Sequence, residues 1–379
     1  MNHKRIMIVA GEASGDLHGG NLVRAMQEKG QELSFYGVGG ERMKSAGVDL
    51  FADAADMAVV GLTEVVFKLA TILRVMHRLK ASLKEKRPDL VILIDYPDFN
   101  LPLARAARRR GIPVLYYISP QVWAWRKGRI ATIKKTVDRM AVILPFEEAF
   151  YREAGVNVTF VGHPLLDEVR KTYSRQETFN RFGLRDDAIT VGILPGSRRS
   201  EVARILPEML RACGILAGKI SPLQFVLPLA GTLDHDFVRN ILRQFPVAVN
   251  VIRDGVYDVV AVADAAMVAS GTATLEAALL EIPMVVVYKV SALSYAVGRR
   301  FIRVDHICLP NIIAGRRVVP ELIQDEATPE RIASEVRELV VRRGKALEMK
   351  AALAEIREKL GAPGASRRTA RIACDMLEN

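Results

Sequence analysis

Asp95 closes an apolar, β-branched run, Val91-Ile92-Leu93-Ile94, and is followed by Tyr96, Pro97, Asp98, Phe99 and Asn100. Such a run reads as a strand buried on both faces of a parallel sheet. In open α/β sheets ligands bind outside the carboxyl ends of the strands, so Asp95 stands where chemistry is done. Pro97 stops ladder pairing and turns the chain. A helix-capping role explains this stretch equally well by itself. GEASGD, residues 11–16, follows the first strand, where a Rossmann domain carries its phosphate loop. It is not GxGxxG, and no acid ends a second strand in the right place, so no dinucleotide cofactor is indicated. Glu12 and Asp16 add carboxylates at the same sheet edge, the alternative being a tight turn with capping acids. The glycine cluster GVGGERM, 37–43, is expected to pack beside it.

LPGSRRSE, 194–201, has the form strand, Pro-Gly-Ser, then a helix opening at Glu201. Free backbone amides at Gly196 and Ser197, with Arg198, then sit at a helix N-terminus, a ready anion site. The Arg198 fork matches a phosphate. The GK[ST] of an ATPase loop is missing. ASGTATLEAA, 269–278, repeats the theme with Ser270, Gly271 and Thr272 before a helix carrying Glu276. Glu276, one turn in, is placed to accept hydrogen bonds from ribose hydroxyls. A capping box would need Ser or Thr at Ala273; a helix capped by Thr272 is the alternative. The turn Asp254-Gly255 is a candidate border of a base pocket. DHD, 234–236, has the DxD form of metal-dependent sugar transferases but precedes a helical stretch, where Asp is a common cap, so no metal site is expected. His163 is left open between a phosphate contact and simple packing.

The elements that must position these residues alternate strand and helix almost throughout, the mark of repeated βαβ units. RIMIVAG, ELSFYGV, LVILID, VLYYIS, RMAVIL and VTFVG are the first strand set; ITVGILPGS, LQFVLPLA, AVNVIRDG, AAMVASG and PMVVVYKV are the second. The expected fold is α/β, two Rossmann-like domains whose parallel sheets face an interdomain cleft. The first domain is placed at 1–166, a polar linker at 167–187 and the second domain at 188–350. C-terminal helices at 351–379 are expected to pack back on the first domain or on a second copy, which leaves a homodimer open.

Half of the 379 residues are hydrophobic and the formal net charge is +11, so nucleic acid, an anionic membrane and a phosphorylated substrate are the candidate partners. Aromatics are only 6% and are not interleaved with basic runs, which argues against nucleic acid. Cys213, Cys308 and Cys374 are far apart, so neither a zinc site nor a disulfide framework is indicated and a reducing cytoplasm fits. No apolar run reaches the ~18 residues of a membrane span. Residues 62–87 combine an apolar stripe (Leu62, Val65, Val66, Leu69, Ile72, Leu73, Met76) with seven Lys and Arg. A core helix explains the stripe by default, and docking on an anionic bilayer is the competing reading.

With GEASGD, IDYPDFN, ISPQVWAWR, LPFE, FVGHP, LPGSR, SGTATLE and LPNIIAG in order, the chain resembles the lipid-A-disaccharide synthases over almost its whole length. The resemblance implies GT-B architecture and an inverting glycosyltransferase. It would join UDP-2,3-diacylglucosamine to 2,3-diacylglucosamine 1-phosphate through a β-1,6 linkage, releasing UDP with no cofactor and no metal. It places the general base on Asp95, pyrophosphate recognition on Arg198, active-site roles on Glu12 and Asn311, and the UDP ribose near Glu276. It also implies a cytoplasmic protein held peripherally on the inner membrane through the 62–87 region. A UDP-N-acetylglucosamine epimerase, a transferase to another lipid acceptor and a non-catalytic nucleic-acid-binding module are the alternatives.

Overall fold

The computed structural model describes residues 3–30, 32–57, 62–123, 128–291, 295 and 305–378, the side chains of 55, 56 and 62–68 excepted. The chain divides into two compact units, Met1–Pro164 with Leu360–Asn379, and Leu165–Lys359. The first is built on β1 (Lys4–Ala10), β2 (Leu33–Gly39), β3 (Val48–Asp53), β4 (Leu90–Ile94), β5 (Val114–Tyr117), β6 (Arg139–Val142) and β7 (Val158–Phe160). The second is built on β8 (Ile189–Leu194), β9 (Leu223–Pro228), β10 (Val249–Ile252), β11 (Ala265–Ala269), β12 (Met284–Tyr288) and β13 (Glu321–Ile323). Both sheets are parallel, in the orders β3-β2-β1-β4-β5-β6-β7 and β10-β9-β8-β11-β12-β13. Each order reverses once, between β1 and β4 and between β8 and β11. Such a reversal splays the following loops apart and leaves a crevice at the strands' carboxyl ends.

The strands are almost uniformly apolar because helices cover both faces of each sheet. Along β4 the side chains divide by period two. Val91 and Leu93 join one core with Met7, Val9 and Tyr116, while Leu90, Ile92 and Ile94 join the other with Ile6, Ile8 and Tyr117. Each fully buried Leu or Ile contributes about 1.5–3 kcal/mol. The terminal helix Ala365–Glu378 closes the second of these faces with Ala370, Ala373, Cys374 and Leu377. Arg368 ties it down, donating from Nε to the Val161 carbonyl at 2.8 Å.

Three boundaries differ from the sequence reading. The polar stretch 167–187 is built into the second unit instead of lying free as a linker. It carries the helix Arg175–Phe182, capped by Ser174 in a capping box, and buries Phe179 against Val226, Ile252, Val259 and Val262. Asp258 fixes its entry by accepting from Thr172 N at 2.6 Å and Tyr173 N at 2.9 Å. The helix Arg343–Lys359 belongs to the second unit as well, so the return to the first begins at Leu360. The edge strands β3 and β13 were not anticipated. β3, VDLFAD, is only partly buried, and the three-residue Glu321–Ile323 strand has no apolar run to announce it.

Candidate active site

The β1–β4 register pairs Ala10 with Ile94, which sets Gly11-Glu12 beside Asp95 at the first reversal. The backbone does not continue straight. Asp95 and Tyr96 take φ of +46° and +47°, the left-handed region, before Pro97 opens the helix Pro97–Arg108. Two consecutive non-glycine residues there cost roughly 1–2 kcal/mol each, a strain kept only where the surroundings over-determine it. Pro97 supplies part of that constraint by disfavouring the right-handed conformation at Tyr96. The Tyr96 ring lies over Gly11, where a Cβ would fall 2.2 Å from Cδ1, so only glycine fits there. Its hydroxyl donates to the Met57 carbonyl at 3.1 Å.

The turn leaves the Asp95 carboxyl half-buried, with its pKa pushed up to about 6. Burial is the main cause and the neighbouring Glu12 carboxylate adds to it, while the Tyr96 amide and His18 pull the other way. Glu12 itself is exposed, the N-cap of the helix Ala13–Gln27. Asp16 is a structural acid: buried, it accepts from Gly40 N at 2.6 Å and from Arg42 N and Met43 N at 3.0 Å, capping the helix Glu41–Ser45. The second glycine cluster thus packs beside GEASGD. His163 is buried and its pKa lies near 3, chiefly through desolvation, so its imidazole is neutral and offers no cationic contact to phosphate.

Beyond β5 the ISPQVW stretch is anchored from below by Glu147, on the helix Pro145–Glu153. Glu147 Oε1 accepts from Ser119 Oγ at 2.8 Å and Trp123 Nε1 at 3.2 Å, and Oε2 from Leu144 N at 3.0 Å. Burial raises its pKa to about 7 against the pull of those donors. Ala124, Trp125 and Arg126, which complete the ISPQVWAWR motif, lie outside the described residues.

At the second reversal, Val268 pairs with Leu194, bringing Pro195-Gly196 beside Ala269-Ser270. A cavity of about 600 Å³ opens there, lined by Gly196, Ser197, Arg198, Ser270, Gly271, Thr272 and Glu276 among others. Gly196 takes φ +105°, where a Cβ would also strike Glu201 Oε2 at 2.2 Å. The helix Arg199–Ala217 opens two residues earlier than Glu201, with Arg198 as N-cap. Glu201 is therefore at N3 and turns its carboxylate back to the Ser197 and Arg198 amides. Burial nevertheless raises the Glu201 pKa, Arg198 opposing. The helix Thr272–Leu279 has Gly271 as its N-cap, so Thr272 is its first residue. Glu276 accepts from Tyr257 Oη at 3.1 Å, and burial raises its pKa. Tyr257 lines this wall and the sequence reading passed over it, because GVYDVV shows only an apolar helix start.

Asn311 stands elsewhere in the second unit. It does not line the cavity; it is fully buried, donating to Val319 O at 3.0 Å and Glu321 Oε1 at 2.8 Å and accepting from Val318 N and Val319 N. All four hydrogen-bonding positions of its amide are used within the 311–321 segment. Asp234 of DHD caps the helix His235–Leu242, accepting from Asp236 N at 3.2 Å.

The stripe of 62–87 divides along the helix Leu62–Glu85. Val75, Leu79 and Leu83 are core, and Ile72 and Met76 pack against it, while Leu69 and Leu73 are 46% and 59% exposed. The side chains of Leu62, Val65 and Val66 lie outside the described residues. Two of the cations are engaged by aromatic rings, Arg78 over Phe51 and Lys86 over Tyr36 and Phe51. Among the described residues no helix is long and apolar enough to cross a membrane.

Two Rossmann-like halves with parallel sheets define a GT-B glycosyltransferase fold. The glycosyltransferase of kitacinnamycin superposes with TM-score 0.65 at 16% identity, over 99% of both chains. The UDP-GlcNAc 2-epimerase from Neisseria meningitidis bound to UDP-GlcNAc gives 0.62 at 14%, over 99% of this chain and all of that one. Transferase and epimerase thus share the architecture, and the sequence separates them. A sequence model of the lipid-A-disaccharide synthetases matches residues 6–374. Lipid-A-disaccharide synthase of Syntrophus aciditrophicus is 60% identical over 379 residues, all of this chain and 99% of the relative. That of Geobacter sulfurreducens is 52% identical over 373 residues, 98% and 97%. The chain belongs to the lipid-A-disaccharide synthetase family, glycosyltransferases of lipid A biosynthesis.

Proposed function

We propose that the protein joins UDP-2,3-diacylglucosamine to 2,3-diacylglucosamine 1-phosphate, making the β-1,6-linked disaccharide with inversion at the donor's C1. The acceptor 6-hydroxyl oxygen attacks C1 as the bond from C1 to the diphosphate oxygen breaks; Asp95 takes the hydroxyl proton and UDP leaves. The observation that carries this reading is the Asp95 carboxyl, held in a left-handed turn beside Glu12 with its pKa near 6. A base of that strength is ionised at neutral pH yet basic enough to accept a proton in the transition state.

The first unit is then the acceptor side and the second the UDP side. Supporting the latter are the glycine loops at Gly196 and Gly271, with Arg198 at a helix N-terminus, which suit growing charge on a leaving diphosphate. Glu276, already a hydrogen-bond acceptor for Tyr257, is the ribose partner. Asn311 acts through the turn it holds. The protein docks peripherally on the cytoplasmic face of the inner membrane through the region of Leu69 and Leu73, whose exposure beside Arg74 and Lys80 supports that reading.

Purified protein incubated with both substrates in detergent and EDTA is expected to yield disaccharide and UDP. UDP without disaccharide would point to a different acceptor; no UDP, even after magnesium is restored, would sink the transferase reading.

A further inference from the structure

The left-handed turn at Asp95 needs something to hold it, and the structure contains an arrangement suited to doing so. Asp95 N still makes the last β4–β5 ladder bond, to Tyr117 O at 3.1 Å. Beyond it the chain departs from the strand and the Asp95 carbonyl turns into the interior, where an unpaired acceptor would be costly. Two side chains meet it. Asn100 Nδ2 donates to it at 2.7 Å, and to the Ile94 carbonyl at 3.1 Å, while Tyr116 Oη donates at 2.5 Å. Both side chains are completely buried. They come from separate elements, the first turn of the helix Pro97–Arg108 and the strand β5, so the carbonyl is fixed from two directions.

We propose that Asn100 and Tyr116 are positioning residues that lock the Asp95 peptide in its left-handed turn and so aim the carboxylate. The inference rests on Asp95 being the base. Carbonyl and carboxymethyl group branch from one residue, so rotation of the peptide carries the side chain with it. With either donor gone, the turn is free to relax toward an ordinary conformation and the carboxyl leaves its place beside Glu12. The groups facing that carboxyl are Glu12 at the end of β1, His18 on the helix Ala13–Gln27, the Tyr96 amide and, from β5, Tyr116 itself. Neither Tyr116→Phe nor Asn100→Ala alters Glu12, His18 or the Tyr96 amide.

The test compares Tyr116→Phe, Asn100→Ala and Asp95→Asn with the wild type for kcat, both KM values and the pH profile of kcat/KM, with melting temperatures as a check on folding. Tyr116→Phe keeps the ring and loses only the donor, so it decides the matter should Asn100→Ala fail to fold. The expected result is a kcat lower by about tenfold, with both KM values within about twofold and a displaced acid limb; misplacement by 1 Å costs up to ~10²-fold. A Tyr116→Phe enzyme with wild-type kcat and acid limb, beside an inactive Asp95→Asn, would overturn the clamp alone. A lowered kcat with an unmoved acid limb would also overturn it, showing only a packing role. Turnover retained by Asp95→Asn would remove the base assignment, and this inference with it.

Discussion

The two sheets reverse strand order in the same way, yet they place opposite chemistry at the reversal. In the first unit the crevice between β1 and β4 gathers two carboxylates, Glu12 and Asp95. In the second, the crevice between β8 and β11 gathers two helix N-termini and Arg198 around the carboxyls of Glu201 and Glu276. Burial and a like charge disfavour the ionised carboxyl and raise its proton affinity; oriented amides and a guanidinium favour an anion. One topology thus suits proton acceptance or phosphate recognition, as proposed above, according to a few residues past the strand ends. The fold makes the crevice and the loop chemistry decides its use.

The sharpest way to break this contrast is at Arg198. Arg198→Ala is expected to weaken UDP binding by roughly 10–100-fold, the value of a hydrogen bond to a charged group, and, if Asp95 is the base, to leave the acid limb of kcat/KM near pH 6. Isothermal titration with UDP and a pH–rate profile check both halves.

Stability separates the two sites as well. The folded pKa of Asp95, about 6, lies above the ordinary 3.8, so ionising it costs stability above pH 6 and nothing below 3.8. Asp95→Asn should therefore stabilise the protein at pH 7.5 by about 1–2 kcal/mol, less than the full linkage value because the group is half-buried. The gain should vanish at pH 4, as denaturant unfolding at the two pH values would reveal. A gain equal at both would show the carboxyl is not strained electrostatically.

Membrane docking is a smaller test of the first unit. Leu73→Ser is expected to reduce sedimentation with anionic vesicles about threefold, from the transfer free energy of one partly buried side chain, without changing UDP affinity. The smallest effect is at Glu12. Glu12→Gln removes the like charge beside Asp95 and should move the acid limb of kcat/KM downward by less than about one pH unit. An upward shift would mean that Glu12 does not face the base.

Much of this was legible in the sequence because central strands and their exits announce themselves. VILID, LPGS and ASGT each join a buried run to small or charged residues, and all three stand at a reversal. Edge strands β3 and β13 were not legible: β3 carries aspartates and is only partly buried, and β13 has three residues. The 167–187 stretch looked like a linker because its few buried residues, Thr178, Phe179 and Leu184, are spread among polar ones, and its entry is fixed by backbone bonds to Asp258. The part Asn311 plays was not legible for a different reason. A motif shows that a residue matters but not whether it touches a ligand or holds a turn, and only the four hydrogen bonds of its amide decide that. Asn100 and Tyr116 escaped notice because their partners are backbone carbonyls, which no side-chain pattern reveals.

The central claim is that the two crevices divide the reaction, proton acceptance in one and UDP recognition in the other. The direct test titrates UDP into wild type and Asp95→Asn by calorimetry, alongside turnover of the two diacylglucosamine substrates. The account predicts UDP affinity within about twofold and turnover lowered by at least ~10²-fold, the contribution of a general base. Turnover retained within tenfold, or UDP binding lost together with it, would contradict the division.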